Sequence, residues 1–530
     1  MPHSLPPAAP LRGRFDRFLI LGAVCLAGFV LPLNFTGPPI ATPAIAAELG
    51  GSPAALTWMT NAFMLAFGSC LMAAGALADG VGRKRVFGIG IAAFGVASSL
   101  LAFVPDLFWL NVLRVVQGVA AAAALSGGNA ALAQEFHGAA RLRAFSLLGT
   151  TFGIGLAFGP SLAGWLTQTH GWRSIFLSSV VVATAATVFG LPRMRESRDP
   201  AAAGIDVPGS LAFTAMLAAF TAGVLEAPAR GWGHPLVLAA LIGSGLLLAL
   251  FVRIEQRSRR PMLDLALFRY PRFIGAQLLP IGTGFCYLVL IVLLPARLIG
   301  VEGYGALQAG LLMIALSLPM LVVPFVGAVA SHRVPPGVLC SGGLLLAAAG
   351  LVWLGRADPG AGWIAPLLLI GIGAAVPWGL MDGLAISVVP KERAGMAAGI
   401  FGASRVSGEG VTIALASAAL ATFLGAGLQA ALPGHAGRVA EIAQHLGIGD
   451  LAQARALLAP TLDPATLIGV YERAFGHLVD ALAAATTVTA VLVLSLFGGA
   501  SAHDIANTHE APAARADGRP ERVADCGAHG

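Results

Sequence analysis

The chain is 530 residues long, with 57% apolar and only 11% charged residues, and its mean hydropathy is +0.81. A soluble domain carries about 25% charged residues. The composition therefore excludes a soluble globular enzyme, a disordered chain and a fibrous protein, and it indicates a polytopic membrane protein. The net charge of +6 is spread too thinly for a nucleic-acid-binding face, so no nucleic-acid partner is expected. The 68 glycines and 33 prolines suit helices that pack closely and bend in lipid.

Lysine occurs only at Lys84 and Lys391. Neither stands in G-x-x-x-x-G-K-[ST], which excludes an ATP-driven pump of the P-loop type. Cys25, Cys70, Cys286 and Cys340 lie in apolar runs and Cys526 in a polar tail. They have no metal or disulfide spacing and read as small hydrophobes. No metal site, cofactor or catalytic constellation is expected. Arg12, Arg14 and Arg17 precede an apolar stretch from Phe18 that is too long for a signal-peptide core, so an uncleaved first span is expected.

A bilayer core needs about 20 apolar residues per helix. Fourteen runs satisfy this in chain order: 18–40, 56–78, 86–104, 109–134, 142–167, 174–192, 208–226, 236–254, 273–296, 305–330, 336–355, 362–389, 395–425 and 475–498. Long Ala/Leu-rich runs argue against strands, whose open edges stay unsatisfied in lipid. With the N-terminus inside, 23 of the 32 Lys and Arg fall on the inner side and 7 on the outer, while Arg114 and Arg405 lie within spans. The positive-inside rule then predicts both termini in the cytoplasm. Only two of the basic residues are lysine, which suggests a GC-rich bacterial genome and a cell (inner) membrane. Trp58, Trp109, Trp172, Trp232, Trp353 and Trp363 fall near outer span ends, where an aromatic belt is expected. The outer segment of about 430–470 alternates Ala/Leu with His, Arg, Gln and Asp. Short amphipathic helices and a plain solvated loop are both open readings there.

The turn between spans 2 and 3 reads Gly75-Ala-Leu-Ala-Asp79-Gly80-Val-Gly82-Arg83-Lys84-Arg85. Gly75 would allow close helix contact, and Gly80 and Gly82 a tight turn. Asp79 would suit a helix N-terminus, and the basic trio could bridge to a neighbouring helix. A basic turn that merely sets topology is the plainer reading. The order G-x-L-x-D-x-x-G-R-[KR] is more specific, and it resembles motif A, the signature loop of the major facilitator superfamily. A weaker copy, Gly327-Ala-Val-Ala-Ser331-His332-Arg333, follows span 10, as two related halves would imply.

Span 4 carries Leu113-Arg114-Val-Val-Gln117-Gly118. An arginine within a span is costly and by default functional. Two readings stand: a structural arginine bonded to backbone carbonyls, or a charge in proton coupling, because the pattern resembles the superfamily's motif B. Span 5 places Gly149, Gly153, Gly155, Gly159, Pro160 and Gly164 in one run. The glycines leave a groove for a neighbouring helix and Pro160 bends the span. Generic small-residue packing explains part of this, yet the spacing resembles motif C of the superfamily's antiporters. Gly171-Trp172-Arg173-Ser-Ile-Phe176 resembles the family's usual lead into span 6.

The resemblance covers nearly the whole chain, and fourteen spans resemble the fourteen-helix drug:proton antiporter branch. It implies an all-α major facilitator fold of two six-helix bundles plus an inserted helix pair. Residues 1–17 would be a cytoplasmic N-terminus, 18–192 the first bundle, 193–272 the inserted pair with its linkers, 273–498 the second bundle with the outer loop, and 499–530 a disordered cytoplasmic tail. Asp206-Val-Pro208-Gly209 before span 7 and Gly395-Met-Ala-Ala-Gly399 in span 13 also look like that branch. It further implies efflux of hydrophobic or amphipathic compounds by alternating access, with the proton as coupling ion. Lipid and a small-molecule substrate would be the partners of a monomeric working unit. Export of one specific metabolite, or a membrane scaffold or sensor that does not transport, are the other readings.

One departure bears on mechanism. The branch usually has an acid in span 1, and Asn34 stands there, beside Phe35 and Thr36. An amide cannot bind and release a proton. Ionisable residues appear instead in the second half: Asp382 in span 12, close to Trp378, and Arg405 with Glu409 in span 13. Arg405 and Glu409 are i, i+4 and share a helix face. Either they form a self-neutralising structural pair, or Arg405 exchanges between Asp382 and Glu409 as one carboxylate gains and loses a proton. Asn34, Phe35 and Trp378 are the residues expected at the substrate cavity near the midplane. The gating loop would comprise Gly75, Asp79, Gly82, Arg83 and Lys84.

Overall fold

The computed structural model describes residues 14–136, 138–198, 206–258, 261, 263, 265–389, 394–432, 438–458 and 464–497. Among them fourteen helices are long and apolar enough to cross a bilayer. They are α1 (Phe15–Leu49), α2 (Pro53–Val81), α3 (Arg83–Leu101), α4 (Leu107–Glu135), α5 (Arg143–His170), α6 (Arg173–Arg193) and α7 (Val207–Arg230). The others are α8 (Pro235–Arg257), α9 (Pro271–Gly300), α10 (Ala306–Ala330), α11 (Pro336–Leu354), α12 (Ala361–Ala385), α13 (Gly399–Ala431) and α14 (Ala465–Phe497). No strand occurs among the described residues. The expected tail of 499–530 lies outside them, as do residues 1–13 of the expected N-terminal segment.

Polar residues in the turns start several helices. Ser52 accepts from Ala55 N at 3.3 Å ahead of Pro53, Asp106 accepts from Trp109 N at 3.0 Å, and Asp206 accepts from Gly209 N at 2.9 Å ahead of Pro208. Each satisfies an amide that the first helical turn leaves open. The predicted spans are recovered, with shifted ends. α1 runs on through Pro38, Pro39 and Pro43 to Leu49, and Thr36 and Thr42 hydroxyls donate to the Pro32 and Pro38 carbonyls at 3.0 and 3.1 Å. α14 begins ten residues before the predicted 475. Its first turns are amphipathic rather than apolar, and they bury Val470, Tyr471 and Phe475 while leaving Glu472 and Arg473 exposed.

The packing repeats. In the first half α1 lies on α5, α2 and α3 lie on α4, and α3 lies on α6. In the second half α9 lies on α13, α10 and α11 lie on α12, and α11 lies on α14. Adding eight to each number of the first set yields the second, which is the relation expected of parallel repeats. The halves meet along two seams, α2 with α13 and α5 with α10, and the same relation exchanges these seams. The inserted helices α7 and α8 pack on each other, and α7 also lies across the α2–α13 seam. α8 turns Leu236, Leu238, Ile242, Leu246, Leu248 and Leu250 outward, which suits a lipid-facing helix.

We call the face that carries the start of α1 and the α2–α3 turn the near face, and its opposite the far face. Two short helices, Val439–Gly447 and Leu451–Ala456, lie on the far face between α13 and α14. The first buries Val439, Ile442, Ala443 and Leu446, an i, i+3, i+4, i+7 stripe, so of the two readings for this segment the helical one holds. Part of the expected aromatic belt does not form. Trp109, Trp232 and Trp353 are about half exposed, but Trp172 and Trp363 are buried. Trp172 donates to Glu48 Oε2 at 2.7 Å. Trp363 donates to the Ala357 carbonyl at 3.0 Å, and the Arg297 guanidinium lies over its ring. Protein partners at the helix ends, Glu48 for Trp172 and the Ala357 carbonyl with Arg297 for Trp363, thus cover both rings.

Candidate functional site

The halves are pressed together on the far side and parted on the near side. At the far end of the α5–α10 seam a Cβ on Gly310 would lie 2.7 Å from the Pro160 carbonyl oxygen, and Gly164 is pressed on the Ala306 backbone. Ser161 Oγ donates to the Gly310 carbonyl at 2.7 Å across the same seam. Ile299, Ala306 and Ile448 of the second half pack on a first-half core that contains Ile40, Ile45, Leu56 and Trp172. Toward the near face the added Cβ of Gly75, Gly149, Gly383 or Gly399 would meet no described atom within 4 Å. The Asp382 side chain, although within α12, is 63% exposed.

The candidate charge cluster sits where this opening ends. Arg405 Nη1 donates to both Asp382 oxygens, at 3.2 and 3.1 Å. Arg405 Nε lies 3.7 Å from Glu409 Oε1, too long for a hydrogen bond. Glu409 is buried, and that oxygen accepts no hydrogen bond among the described residues. One guanidinium thus serves an exposed and a buried carboxylate, and Arg405 itself is 17% exposed. Its charge faces aromatic rings, with Trp378 at 5.0 Å and Phe152 at 6.0 Å. Phe152 belongs to α5 of the first half and Trp378 to α12 of the second, with centroids 6.4 Å apart. Tyr287 of α9 lies 6.4 Å from Trp378 on another side, and the Trp378 Nε1 donor is unpartnered. The cluster is charged, bordered by aromatic rings and set between the halves, where the rings offer faces to planar or cationic groups.

The first half treats its buried arginine differently. Arg114 is fully buried and donates to the Met59 carbonyl at 2.8 Å, to Gln117 Oε1 at 2.6 Å and to the Asn34 carbonyl at 2.9 Å. Phe63 lies beneath it at 4.3 Å. Gln117 Nε2 donates to Asn34 Oδ1 at 3.0 Å and to Ser98 Oγ at 2.8 Å. Asn34 Nδ2 donates to the Val30 carbonyl at 2.9 Å and to Ser179 Oγ at 2.8 Å. Every acceptor is neutral, and no described carboxylate pairs with Arg114. Of the two readings for Arg114, this geometry is that of a structural arginine. Asn34 and Phe35 are both buried in the first half, so of the three expected cavity residues only Trp378 borders the opening.

The residues expected to form a gating loop come together at the near face, with differences from expectation. Asp79 sits in the last turn of α2, not at a helix N-terminus, and it accepts from Arg83 Nε and Nη2 at 3.1 and 2.9 Å. A carboxylate at a helix C-terminus meets an unfavourable dipole, which the guanidinium offsets. A Cβ on Gly75 would meet no described atom within 4 Å, so no close helix contact requires a glycine there. Gly82 makes the turn at φ +134°, where L side chains are strained. The segment after α6 docks on this turn: Arg83 N donates to the Ser197 carbonyl at 3.0 Å, and Arg85 lies 3.4 Å from the Glu196 carboxylate. The basic trio was expected to bridge to a neighbouring helix; its bridge runs instead to the non-helical segment after α6, and Lys84 adjoins it.

The glycine ladder of α5 serves two neighbours. A Cβ on Gly155 would lie 2.5 Å from the Phe29 carbonyl oxygen, and Gly159 is pressed on Thr36, so these two seat α5 on α1. Gly164, Pro160 and Ser161 face α10. A Cβ on Gly153 would lie 3.5 Å from the Met320 carbonyl oxygen, and Gly149 faces open space. Sequence reading missed Phe152, Tyr287 and Asn61. Tyr287 and Asn61 were visible as polar atoms in apolar runs, and Phe152 stood unremarked inside the glycine pattern.

Two packed repeats, closed on one face and open on the other around a charged cluster, define a multi-pass membrane transporter. Residues 24–413 match the family model for the Major Facilitator Superfamily, and the chain belongs to that superfamily. It is 32% identical over 403 residues to the tetracenomycin C resistance and export protein of Streptomyces glaucescens, covering 74% of each chain. It is 30% identical to the multidrug resistance protein Stp of Mycobacterium tuberculosis, covering 78% of each. A bacterial homologue of the human lysosomal transporter Spinster, solved inward-facing and unoccupied, shares the fold with a TM-score of 0.62. That likeness, at 14% identity, covers 92% of this chain and 98% of the other.

Proposed function

We propose that the protein exports hydrophobic or amphipathic compounds by alternating access, driven by proton entry. The observation that carries this reading is Arg405 held between exposed Asp382 and buried Glu409 beside rings from both halves. Two carboxylates share one cation, so the ionised cluster has one negative charge in excess. A proton on Glu409 removes that excess and leaves Arg405 to Asp382. Release of the proton restores the pull of Glu409 on Arg405. The membrane potential supplies about 2.3 kcal/mol per charge per 100 mV, ample to bias such an exchange. The export and resistance functions named for the two relatives support the outward direction.

The basic turn Arg83-Lys84-Arg85 lies on the near face, and by the positive-inside rule that face is cytoplasmic. Both termini then lie in the cytoplasm, the membrane is the cell (inner) membrane, and the opening faces the compound to be exported. The proton is the coupling ion, no cofactor takes part, and one chain is the working unit. Residues 18–192 and 273–498 act as the two moving bundles, with 193–272 as the inserted pair and its linkers. Export of a single compound is a second reading, favoured by the one compound in the Streptomyces relative's name. A susceptibility panel with and without the gene separates one protected compound from many.

The test is substrate-induced proton flux in reconstituted vesicles under an imposed pH gradient. Glu409→Gln abolishes the flux but retains substrate exchange down its gradient, and Asp382→Asn shifts or abolishes the pH dependence. If both variants couple protons like the parent protein, the two acids are structural and this mechanism fails.

A further inference from the structure

On the far face a cavity of about 80 Å³ lies between the halves. Its walls come from α1 and α2 of the first half, α9 and α13 of the second, and α7 of the inserted pair. Gln444, Gly447 and Ile448, at the end of the first short helix, border it as well. No charged side chain lines it. The polar groups that do are uncharged, and Ser417 and Gln444 among them can both donate and accept. Thr42 and Thr57 hydroxyls spend their protons on the Pro38 and Pro53 carbonyls, at 3.1 and 2.9 Å. Asn61 Nδ2 donates to the Thr57 carbonyl at 3.1 Å. Asn61 is 1% exposed, and its Oδ1 is unpartnered, as is Ser417 Oγ. Asn61 also lines a second cavity of about 10 Å³ together with Ser407, whose Oγ is buried and unpartnered. Leaving such atoms unpaired costs about 1–3 kcal/mol each.

We propose that these cavities form a second binding site, which takes a neutral hydrogen-bonding group, a hydroxyl or amide, of an amphipathic compound leaving by the far face. A wall that offers the Asn61 Oδ1 acceptor beside serine hydroxyls rewards a group that both donates and accepts, as a hydroxyl or an amide does. An uncharged wall leaves an anion or a quaternary cation unpaired and desolvated. The compound thus moves from a charged aromatic cluster on the near side to an uncharged polar pocket on the far side, and a neutral hydroxyl-bearing group is selected at the second. The α7 residues Leu217, Thr221, Leu225 and Pro228 line the two cavities, which gives the inserted pair a part in selection. This inference rests on the export reading but not on its proton coupling.

The experiment uses the full chain in nanodiscs and octyl β-D-glucoside carrying a diazirine in its alkyl chain, without any ion gradient. Photolabelling is expected to concentrate on 53–61 and 439–448, to saturate, and to be competed by octyl glucoside but not by octyltrimethylammonium. Asn61→Leu and, separately, Ser417→Val each lower it about fivefold, the worth of one hydrogen bond. Should Asn61→Leu fail to fold, Ser417→Val decides. Labelling spread over lipid-facing helices such as α8, or unchanged in the folded variants, overturns the proposal. So does the absence of saturation, which would mean that water alone serves these polar groups. A failure of proton coupling would appear in the flux assay and leave the labelling untouched.

Discussion

Gly310→Ala adds one methyl group at the far end of the α5–α10 seam. The new Cβ would lie 2.7 Å from the Pro160 carbonyl oxygen and 2.8 Å from Ser161 Cα. Ordinary contacts begin near 3.4 Å, so the helices must separate by roughly 0.7 Å, and both obstacles are backbone. The separation also stretches the 2.7 Å hydrogen bond from Ser161 Oγ to the Gly310 carbonyl. Overpacking of this kind costs about 1–3 kcal/mol. In alternating access that cost falls on the far-closed state alone, because the seam parts in the other. A shift of about 2 kcal/mol changes the ratio of the two states about thirtyfold. The assay is alkylation by a membrane-impermeant maleimide of a cysteine placed at 417, in a variant lacking the native cysteines. Gly310→Ala is expected to raise the rate from the far side at least tenfold. Gly243→Ala on α8, where an added Cβ meets nothing within 4 Å, is expected to leave it unchanged. An unaltered rate in folded Gly310→Ala protein would refute the reasoning, since the seam would then not be what closes the far face.

Other outcomes follow from the near face and from the first half. Asp79→Asn removes the carboxylate that takes two bonds from Arg83; transport in vesicles is expected to fall at least tenfold with normal insertion, and normal transport would leave the loop only a topogenic part. Gly82→Ala forces a Cβ into φ +134° and toward the Glu196 carboxylate; a cost of about 1–3 kcal/mol should lower the thermal unfolding midpoint measurably. Asn34→Asp gives up the Nδ2 bonds to the Val30 carbonyl and Ser179 but sets a carboxylate beside Arg114; partial recovery of proton flux in the Glu409→Gln protein is expected, and no recovery would confine coupling to the second half.

The fourteen spans were legible because lipid demands long apolar helices and leaves few alternatives. Their ends were less so. α14 starts in an amphipathic stretch, where hydropathy falls although Tyr471 and Phe475 are buried. Tryptophan position along the chain does not reveal which side of a helix it faces, and for that reason buried Trp172 and Trp363 read as belt residues. The charged cluster was legible from the i, i+4 spacing of Arg405 and Glu409 and from the rarity of acids in spans. Phe152 was not, because its contact with Trp378 joins residues 226 positions apart across a seam that no local pattern encodes. The bonding of Arg114 was equally out of reach, since its partners Met59 and Asn34 offer backbone carbonyls, which every residue carries.

Arg114 and Arg405 illustrate how, in the proposed cycle, a charge is fixed in one half and exchanges in the other. Arg114 is surrounded by neutral acceptors on α1, α2 and its own helix, all within the first half. Breaking any of these bonds strands a buried carbonyl and a buried cation together, so the arrangement has one low-energy form. Arg405 is bonded to Asp382, whose side chain water already reaches, and lies at 3.7 Å from Glu409 without a hydrogen bond. In the proposed cycle, loss of either contact is offset by water at Asp382 or by a proton on Glu409. Glycines flank Glu409 at 408 and 410, so no side chain beside it in sequence hinders a change of rotamer. In the proposed cycle the first half supplies a rigid wall, with Phe152 as its contact to the cluster, and the second half supplies the groups that change partner. Replacement of the span-1 acid by Asn34 is consistent with that division. A titrating group beside Arg114 would have given the first half a second state, whereas Asn34 ties Arg114, Gln117 and Ser179 into one.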